Sequence, residues 1–322
     1  MPGPERSGGA AAESGTIEVR LLPPDAPEET GIARELAAIA EHRDEHPAFS
    51  DAVWRDLEAP LERSRGLIAV DEPDIVGYLR AMTRPDDDRA LEFALVVRPE
   101  HRDGEVPRRL LDAAIDYARS VDVHSVSLWV FGADVDSDAL AAAVGLTAER
   151  ELWQMRVPLP LAGAPKWPDG ISLRAFVPGD DNDAWLVVNN AAFVADPDQG
   201  GWTSDILAGR IAEPWFDPEG LLIADDAGAI AGFCWTKVHP AEPPHEPRAL
   251  GEIYVIGVDP GHQGLGLGRA LVLAGLEHLH EVRHLDVGML FVDAANAPAV
   301  GLYRALGFVT SRIDRAYGRA LS

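Results

Sequence analysis

Cysteine is almost absent from this chain of 322 residues, in which Cys234 is the single one. A lone cysteine cannot form a disulfide within the chain, and this fits a reducing compartment. Cys234 lies in the apolar run IAGFCWTKV, so we predict a buried structural thiol rather than a catalytic nucleophile. The predicted location is the cytoplasm.

Positive charge is also scarce, because 28 Lys and Arg face 53 Asp and Glu and the net charge is −25. Nucleic acid and anionic membranes are therefore poor partners for the bulk surface. No apolar stretch approaches the roughly 18 residues of a membrane-spanning helix. Residues 1–16 lack the apolar segment of a signal peptide, and we predict a disordered tail there. A local site of basic groups or backbone amides remains compatible with a small polyanion.

Motifs that would indicate other chemistry are weak or absent. His280 and His284 are four residues apart, in the order H-E-x-x-H, but no further acidic ligand completes a set, so we predict no metal site. There is no G-x-S-x-G, which leaves an esterase unsupported. Four tryptophans of the second half are predicted to form core and pocket wall rather than a nucleic-acid stacking platform: Trp185, Trp202, Trp215 and Trp235.

The two halves of the chain resemble each other. GLIAVDEPDIVGYL and GLLIADDAGAIAGFC each read as strand, acidic turn and strand, and LEFALVVRPEHR matches EIYVIGVDPGHQ before an apolar-periodic helix. Between the halves lies PLPLAGAPKWPDG, which is rich in proline and glycine. We predict an N-terminal domain over 17–158, a linker over 159–170 and a C-terminal domain over 171–322.

A glycine-rich loop separates a predicted strand, EIYVIGVDP, from a predicted helix in the second half. It lacks the Lys-Ser/Thr of a Walker A loop, and its alternate glycines do not fit G-x-G-x-x-G; it reads Q-x-x-G-x-G. Free backbone N–H groups ahead of a helix form an anion site. A plain strand-to-helix turn is the alternative. The predicted pyrophosphate contacts are Gln263, Gly264, Leu265, Gly266, Leu267, Gly268 and Arg269.

This block resembles the acetyl-CoA motif of the GNAT acetyltransferase superfamily, and NAPAVGLYRALGF resembles its second signature. Both halves carry the same order, so the resemblance covers nearly the whole chain after the tail. In detail the second half is similar to the mycothiol synthase family, through NNAAFVADPDQGGWT, EPWFDPEG, CWTKVHP and VDAANAPAVGLYRALGF. The implied fold is α/β, with two tandem GNAT-type domains, each a mixed, largely antiparallel sheet flanked by helices.

The resemblance implies acetyl-CoA as co-substrate and a bulged strand whose backbone amides hold the thioester. Ile256, Gly257 and Val258 match that place, and a glycine inside a strand is independently consistent with a bulge at Gly257. The segment over the cofactor comprises Asn296, Ala297, Pro298, Ala299, Val300 and Gly301. A residual cofactor contact in the first half would fall at Leu95, Val96 and Val97.

Glu252 opens the strand beside the loop, and we predict it as the general base that accepts the amine proton. Tyr303 on the final helix matches the GNAT acid that protonates the leaving thiolate. The alternatives are a solvated carboxylate at a strand end and a tyrosine that only packs in the core.

Substrate contacts implied by the resemblance are Asp51, Asp198, Lys237, Glu252 and Phe291. Asp198 stands where the family generally has Glu, and Phe291 where it has Tyr. Asp51 reads equally well as an acidic residue at a helix N-terminus.

The implied reaction is acetylation of the cysteinyl amine of a cysteinyl-glucosaminyl-inositol by a monomer that uses no metal. Another small-molecule amine acetyltransferase and a non-catalytic acyl-CoA sensor are the competing hypotheses.

The first half lacks much of this equipment. An offset of 161 residues places Arg102, Glu105 and Pro107 opposite Gln263, Gly266 and Gly268, and a carboxylate and a proline weaken an anion cradle. The same offset sets Leu91 opposite Glu252, and an offset of 162 sets Ala141 opposite Tyr303. We therefore predict that the first half is catalytically silent.

Overall fold

The computed structural model describes residues 17–24, 26–44, 46–85, 87–194, 199–241, 243 and 246–321. The chain divides into two units, one of residues 1–149 and 315–322 and the other of residues 150–314. The predicted tail over 1–16 lies outside the described residues.

The first unit is built on strands that are mostly antiparallel, in the order β1-β2-β3-β4-β5. The strands are β1 (Glu18–Leu21), β2 (Arg65–Asp71), β3 (Asp74–Arg84), β4 (Asp87–Val97) and β5 (Ser125–Val130). The helices are α1 (Glu29–Asp44), α2 (Asp51–Glu58), α3 (Val106–Ser120) and α4 (Val135–Ala143). β4 and β5 run parallel, because α3 connects them as a crossover.

The second unit repeats this plan in the order β7-β8-β9-β10-β11-β6. Its strands are β6 (Thr147–Pro158), β7 (Ile171–Ala175), β8 (Leu221–Asp226), β9 (Ala229–His239), β10 (Leu250–Val258) and β11 (Val287–Asp293). Its helices are α5 (Asn182–Ala192), α6 (Ser204–Ile211), α7 (Leu267–Glu281) and α8 (Ala297–Ala305). The parallel pair is β10 and β11, again joined by a helix, α7. The predicted α/β fold with mixed, largely antiparallel sheets is confirmed.

The last strand of each half continues from its own unit into the other unit. β6 follows α4 in the chain, yet it pairs antiparallel with β11 of the second unit. The final strand β12 (Val309–Ala320) pairs through Arg315–Ala320 with β5 of the first unit. The units therefore divide at 149/150 and 314/315 rather than at the proline-rich segment that the sequence suggests.

Both faces of each sheet are covered, and this explains why central strands such as β3 and β9 are apolar almost throughout. In the second unit, α7 and α8 pack with Ile253 and Leu290 on one face. The other face carries α5, α6 and an aromatic core around Trp185 and Trp235. The predicted buried role of the four tryptophans is confirmed for this core, in which Trp202 is also buried and Trp215 packs against it. Cys234 is fully buried, as predicted, and burial raises the pKa of its thiol.

Candidate active site

The glycine loop ends in a helix N-terminus with unused donors. Gly264 and Gly266 have φ of +79° and +84°, a conformation that other residues adopt only at a cost, and Gly266 caps α7. In the described part of the chain, the backbone N–H groups from Gly264 to Arg269 make no hydrogen bond. The Arg269 side chain is exposed there. Such a group of amides and one cation suits a pyrophosphate.

Two carboxylates fix the turn before this loop. Asp259 accepts hydrogen bonds from the Gly261 N–H at 2.9 Å and from His262 Nδ1 at 2.9 Å. His262 Nε2 lies 3.3 Å from Asp226 Oδ2 on β8. These hydrogen bonds, with Asp259 the larger cause, raise the pKa of His262. The turn before the loop is thus anchored by His262, which bridges Asp259 and Asp226.

Strands β10 and β11 separate before the end of β10, which is the strand that leads into the glycine loop. They pair only over Gly251–Ile253 and Gly288–Leu290, so within the described structure the edge of β10 from Tyr254 to Val258 has no strand partner on that side. Ile256, Gly257 and Val258 lie on this free edge. Their backbone groups are available to a ligand, as expected for a site that holds a thioester and its pantetheine arm.

The bulge of β10 lies at Tyr254, since the register with β9 shifts between Ile253 and Val255. Gly257 is regularly paired with Phe233, so the expectation of a bulge at Gly257 is wrong. The glycine has another cause: a Cβ there would come within 2.8 Å of the Phe233 ring. Close packing of an aromatic ring against the strand, and not a bulge, requires this glycine.

Glu252 is buried, with 6% of its surface exposed, and projects from β10 just before the bulge. Its Oε2 atom lies 2.6 Å from Nε2 of His239 at the end of β9. His239 is part of the WTKVHP segment, but its role was missed from the sequence. The available signal was the two-residue spacing from Lys237, which places both side chains on one strand face.

Lys237 faces Glu252 across the β9–β10 pair. Its ammonium group lies 4.5 Å from the centre of the Trp215 ring and 5.5 Å from that of Tyr254. These contacts are cation–π interactions. Lys237 and Arg269 form no ion pair with any residue that the structure describes. The site therefore has a cation whose hydrogen-bond donors are open.

Phe291 lies on the same sheet face as Glu252, because Glu252 is paired with Met289 and Phe291 is two residues further along β11. The Arg312 guanidinium lies 5.8 Å from the centre of the Phe291 ring. The structure thus brings Glu252, Lys237 and Phe291 to one face. Asp198 lies outside the described residues.

Tyr303 is on the opposite face, in the core formed with α7. Its ring packs against Phe308 at 5.7 Å, and burial raises the pKa of its hydroxyl. Among the described residues that hydroxyl has no hydrogen-bond partner. Tyr303 therefore keeps its proton through the neutral range and has it available to donate.

The other predicted positions are explained partly by local structure. Asn296 caps α8, because its side chain accepts the Ala299 N–H at 3.2 Å, and Ala297–Gly301 form the first turns of that helix. Asp51 is the first residue of α2 in the first unit, and Ser50 before it makes no side-chain cap.

The loop of the first unit is occupied by its own side chains. Arg102 makes two hydrogen bonds of 2.7 Å to Asp44, and its Nε donates to the Val97 carbonyl. Glu105 occupies the N-cap position of α3 without a side-chain capping bond and pairs with Arg109, while Pro107 removes one N–H. Leu95, Val96 and Val97 form the free edge of β4, but the Val97 carbonyl already accepts the hydrogen bond from Arg102.

The register of the sheets corrects one sequence alignment. Gly77 pairs with Val97 and Gly232 with Val258. The fifth pair after Gly77 and Val97 is Met82 with Glu92. The fifth pair after Gly232 and Val258 is Lys237 with Glu252, so Glu92 corresponds to Glu252. The alignment of Leu91 with Glu252 is wrong, because β10 contains an extra bulge residue that β4 lacks. The first unit therefore does carry a carboxylate at this position.

The repeated sheet, the separated parallel strands and the glycine loop define a tandem acetyltransferase of the GNAT class. The model of the acetyltransferase (GNAT) family matches residues 31–146 and 191–308. In fold, the chain is similar to a GCN5-related N-acetyltransferase from Sphaerobacter thermophilus (TM-score 0.69, 23% identity, covering 94% of this chain and 95% of that chain). It is also similar to a tandem GNAT protein from the clavulanic acid biosynthesis pathway (TM-score 0.65, 21% identity, 95% and 98%).

Nearer relatives are two proteins named mycothiol acetyltransferase. The one from Pseudarthrobacter chlorophenolicus is 42% identical over 300 residues, which is 88% of this chain and 90% of the relative. The one from Thermobispora bispora is 45% identical over 258 residues, 80% and 84%. The chain belongs to the mycothiol acetyltransferase family and is a GNAT N-acetyltransferase, a class that uses acyl-CoA.

The described residues contain no helix long and apolar enough to cross a bilayer. They also contain no cluster of three or more His, Cys, Asp or Glu arranged to hold a metal ion.

Proposed function

We propose that this chain transfers the acetyl group of acetyl-CoA to the cysteinyl amine of 1D-myo-inositol 2-(L-cysteinylamino)-2-deoxy-α-D-glucopyranoside, giving mycothiol and CoA. The observation that carries the proposal is the buried Glu252, hydrogen-bonded to the partly exposed His239, beside the free edge of β10. An acyl donor lying along that edge has its thioester next to a carboxylate. The family relationship supplies the acceptor.

The acyl donor lies along the loop and the free strand edge. The amides from Gly264 to Arg269 take the pyrophosphate, and the Arg269 side chain adds a positive charge. Backbone groups of Ile256–Val258 hold the pantetheine and the thioester carbonyl. Because the backbone N–H groups of Ile256–Val258 are fixed in the strand before substrate binds, they stabilise the oxyanion of the tetrahedral intermediate without reorganisation.

Glu252 accepts a proton from the acceptor ammonium, directly or through a water. An α-amino group has an ordinary pKa of about 7.7–8, so a modest base suffices. The free amine attacks the thioester carbonyl, the tetrahedral intermediate collapses, and the C–S bond breaks. Tyr303 gives its proton to the departing CoA thiolate. The attacking nitrogen still carries two protons and loses one of them to restore Tyr303, and Glu252 releases to solvent the proton that it accepted. The products are the amide, the CoA thiol and one proton.

The acceptor is polyhydroxylated, and the side chains around Glu252 suit it. Lys237 donates to hydroxyl oxygens from its position over Trp215, while Phe291 offers an aromatic surface in place of a hydroxyl. Asp51 and Asp198 are the further proposed contacts to the acceptor. The enzyme acts in the cytoplasm as a monomer.

The first unit is proposed to be non-catalytic. Glu92 supplies a carboxylate, but Ala141 stands where Tyr303 stands, so no acid serves a leaving thiolate. The Arg102–Asp44 pair and Glu105 occupy the place of the phosphate cradle.

The test is steady-state CoA release from acetyl-CoA and the cysteinyl-glucosaminyl-inositol, with wild type beside Glu252→Gln and the exposed Glu281→Gln as control. General-base catalysis contributes about 10²–10⁴-fold. We expect a loss of that order for Glu252→Gln alone. Absence of turnover by the wild type, with acetyl-CoA still bound, overturns the proposed acceptor. Turnover that survives in Glu252→Gln overturns the proposed base.

A further inference from the structure

Strand β10 carries one residue that has no counterpart on β4. The pairing of β3 with β4 runs without a register shift from Gly77–Val97 to Met82–Glu92. In the matching part of β9 and β10 the register shifts, and Tyr254 stands opposite no residue of β9. Tyr254 is therefore an insertion into the strand of the second unit, the unit to which the acetyl transfer is assigned.

This insertion is not what separates the parallel strands. β4 and β5 pair over Ala90–Phe93 and then part with no register shift at that point. β10 and β11 pair over Gly251–Ile253 and part at the same place. A bulge inserts an extra residue and redirects its side chain, and bulges are frequent next to active sites. What the bulge of β10 adds is thus a side chain, that of Tyr254.

The Tyr254 side chain lies on the sheet face that carries Glu252. Its ring centre is 5.0 Å from that of Trp215 and 5.5 Å from that of Trp235, and both contacts are edge-on. The ammonium group of Lys237 lies 5.5 Å from the centre of the same ring. These contacts on three sides fix the ring beside the proposed base and the proposed acceptor contact.

The Tyr254 hydroxyl is available to a ligand. In the described part of the chain it makes no hydrogen bond, and the side chain is only half-buried. The net pKa of the hydroxyl is raised: burial is the main cause, Arg210 on α6 opposes it, and Glu252 and Glu213 add to it. The phenol therefore stays protonated at neutral pH, and it can both donate and accept a hydrogen bond.

We propose that Tyr254 is a specificity-determining residue of the acetyl transfer, whose hydroxyl exchanges a hydrogen bond with a hydroxyl group of the sugar–inositol acceptor. The inference rests on the proposed function and names a further contact of its acceptor. A phenol suits an alcohol because each of them donates and accepts, whereas the Lys237 ammonium can only donate. Tyr254 takes no part in the proton transfers, so its contribution is to acceptor affinity and not to the chemical step.

The experiment compares the full-length wild type with Tyr254→Phe, which removes the hydroxyl and keeps the ring. Acceptor affinity is measured by calorimetry on the CoA-loaded protein, and kcat and both KM values are measured by CoA release. We expect acceptor binding to weaken about tenfold, as for the loss of one hydrogen bond, with kcat and the KM for acetyl-CoA unchanged. The matched control is Tyr117→Phe on α3 of the first unit, where the hydroxyl donates to the Arg63 carbonyl at 2.8 Å. That variant should bind the acceptor as wild type does.

Equal acceptor affinity in wild type and Tyr254→Phe overturns the proposal. So does a fall in kcat at unchanged affinity, because the hydroxyl would then act on the reacting amine. A joint rise of both KM values with a lower melting temperature also overturns it, since that pattern belongs to a packing role.

Failure of the proposed function gives a different result. An acceptor that binds, is weakened by Tyr254→Phe and is not acetylated refutes the reaction and supports the contact. An acceptor that does not bind the wild type overturns both.

Discussion

His239 Nε2 and Glu252 Oε2 are 2.6 Å apart, on the adjacent antiparallel strands β9 and β10. The residue directly opposite Glu252 in the strand pairing is Lys237, two positions before His239. A third of the His239 side chain is exposed (34%), while Glu252 is buried. The imidazole therefore holds the carboxylate in one orientation and connects it to solvent. His239 is a positioning residue for the proposed base.

Replacing His239 with alanine should lower kcat by about 10- to 100-fold, the equivalent of one hydrogen bond to a charged group of about 1.5–3 kcal/mol. The KM for acetyl-CoA should stay unchanged, and the pH profile of kcat/KM should shift because the carboxylate loses its partner. The matched control is His124→Ala, which removes a histidine 3.2 Å from Asp87 in the first unit. An unchanged pH profile with a simple loss of stability would assign His239 a purely structural role.

Tyr303→Phe should reduce kcat by about 10²-fold, since the leaving thiolate loses its proton donor. Thermal stability should hardly change, because the ring contact with Phe308 remains and the hydroxyl has no hydrogen bond to the described residues. Burial raises the pKa of Tyr303, so its ionisation should not appear as a basic limb near neutral pH in the rate profile.

Tyr317→Phe is the opposite control for this prediction. The Tyr317 hydroxyl donates to Asp138 at 2.8 Å, so the variant should lose about 1 kcal/mol of stability and no activity. Full activity of Tyr303→Phe would return Tyr303 to a packing role.

Gly266→Ala should raise the KM for acetyl-CoA. A Cβ at φ +84° is strained by about 1 kcal/mol or more, and relief of that strain moves the amides of the loop. Gly228→Ala is a matched control in the β8–β9 turn, because Gly228 has φ +94° and, like Gly266, has open space where a Cβ would be added. Both variants should lose similar stability in thermal melts. An equal effect of both on the KM would contradict a ligand role for the loop.

The glycine loop, the repeated halves and the alternation of strands could be predicted because they are local patterns. Spacing of apolar residues and a Q-x-x-G-x-G segment between strand and helix act over a few turns of chain. The buried state of Cys234 followed from the same patterns.

The pairing of distant residues could not be read in this way. The bulge at Tyr254 changes the register by one residue, which moved the counterpart of Glu252 from Leu91 to Glu92. A fixed sequence offset has no means of showing such a shift. The pairing of β6 with β11 and of β12 with β5 depends on contacts between residues far apart in the chain. The composition of the segment near Pro158 does not indicate these pairings.

His262 should make the second unit slightly more stable at lower pH. Asp259 and Asp226 raise its folded-state pKa above the ordinary 6.5, so the stabilisation is fully present below pH 6.5 and is lost as the pH rises through the raised folded value. Melting temperatures of wild type and His262→Gln should therefore differ by about 1–2 °C near pH 5 and converge as the pH rises through the raised folded-state pKa. A difference that grows with rising pH would contradict this sign.

Lys237→Gln should raise the KM for the acceptor and leave that for acetyl-CoA unchanged. The ammonium lies over Trp215 and Tyr254 on the face of Glu252, away from the loop that is proposed to bind the nucleotide. Losing a charged donor to the substrate should raise the KM for the acceptor by about tenfold. The chain has one other lysine, so Lys166→Gln is the natural control and should behave as wild type. If Trp215→Leu produces the same selective change as Lys237→Gln, the aromatic ring holds the lysine in its binding position. If instead both KM values rise together in Lys237→Gln, the lysine supports the fold of β9 and not the recognition of the acceptor.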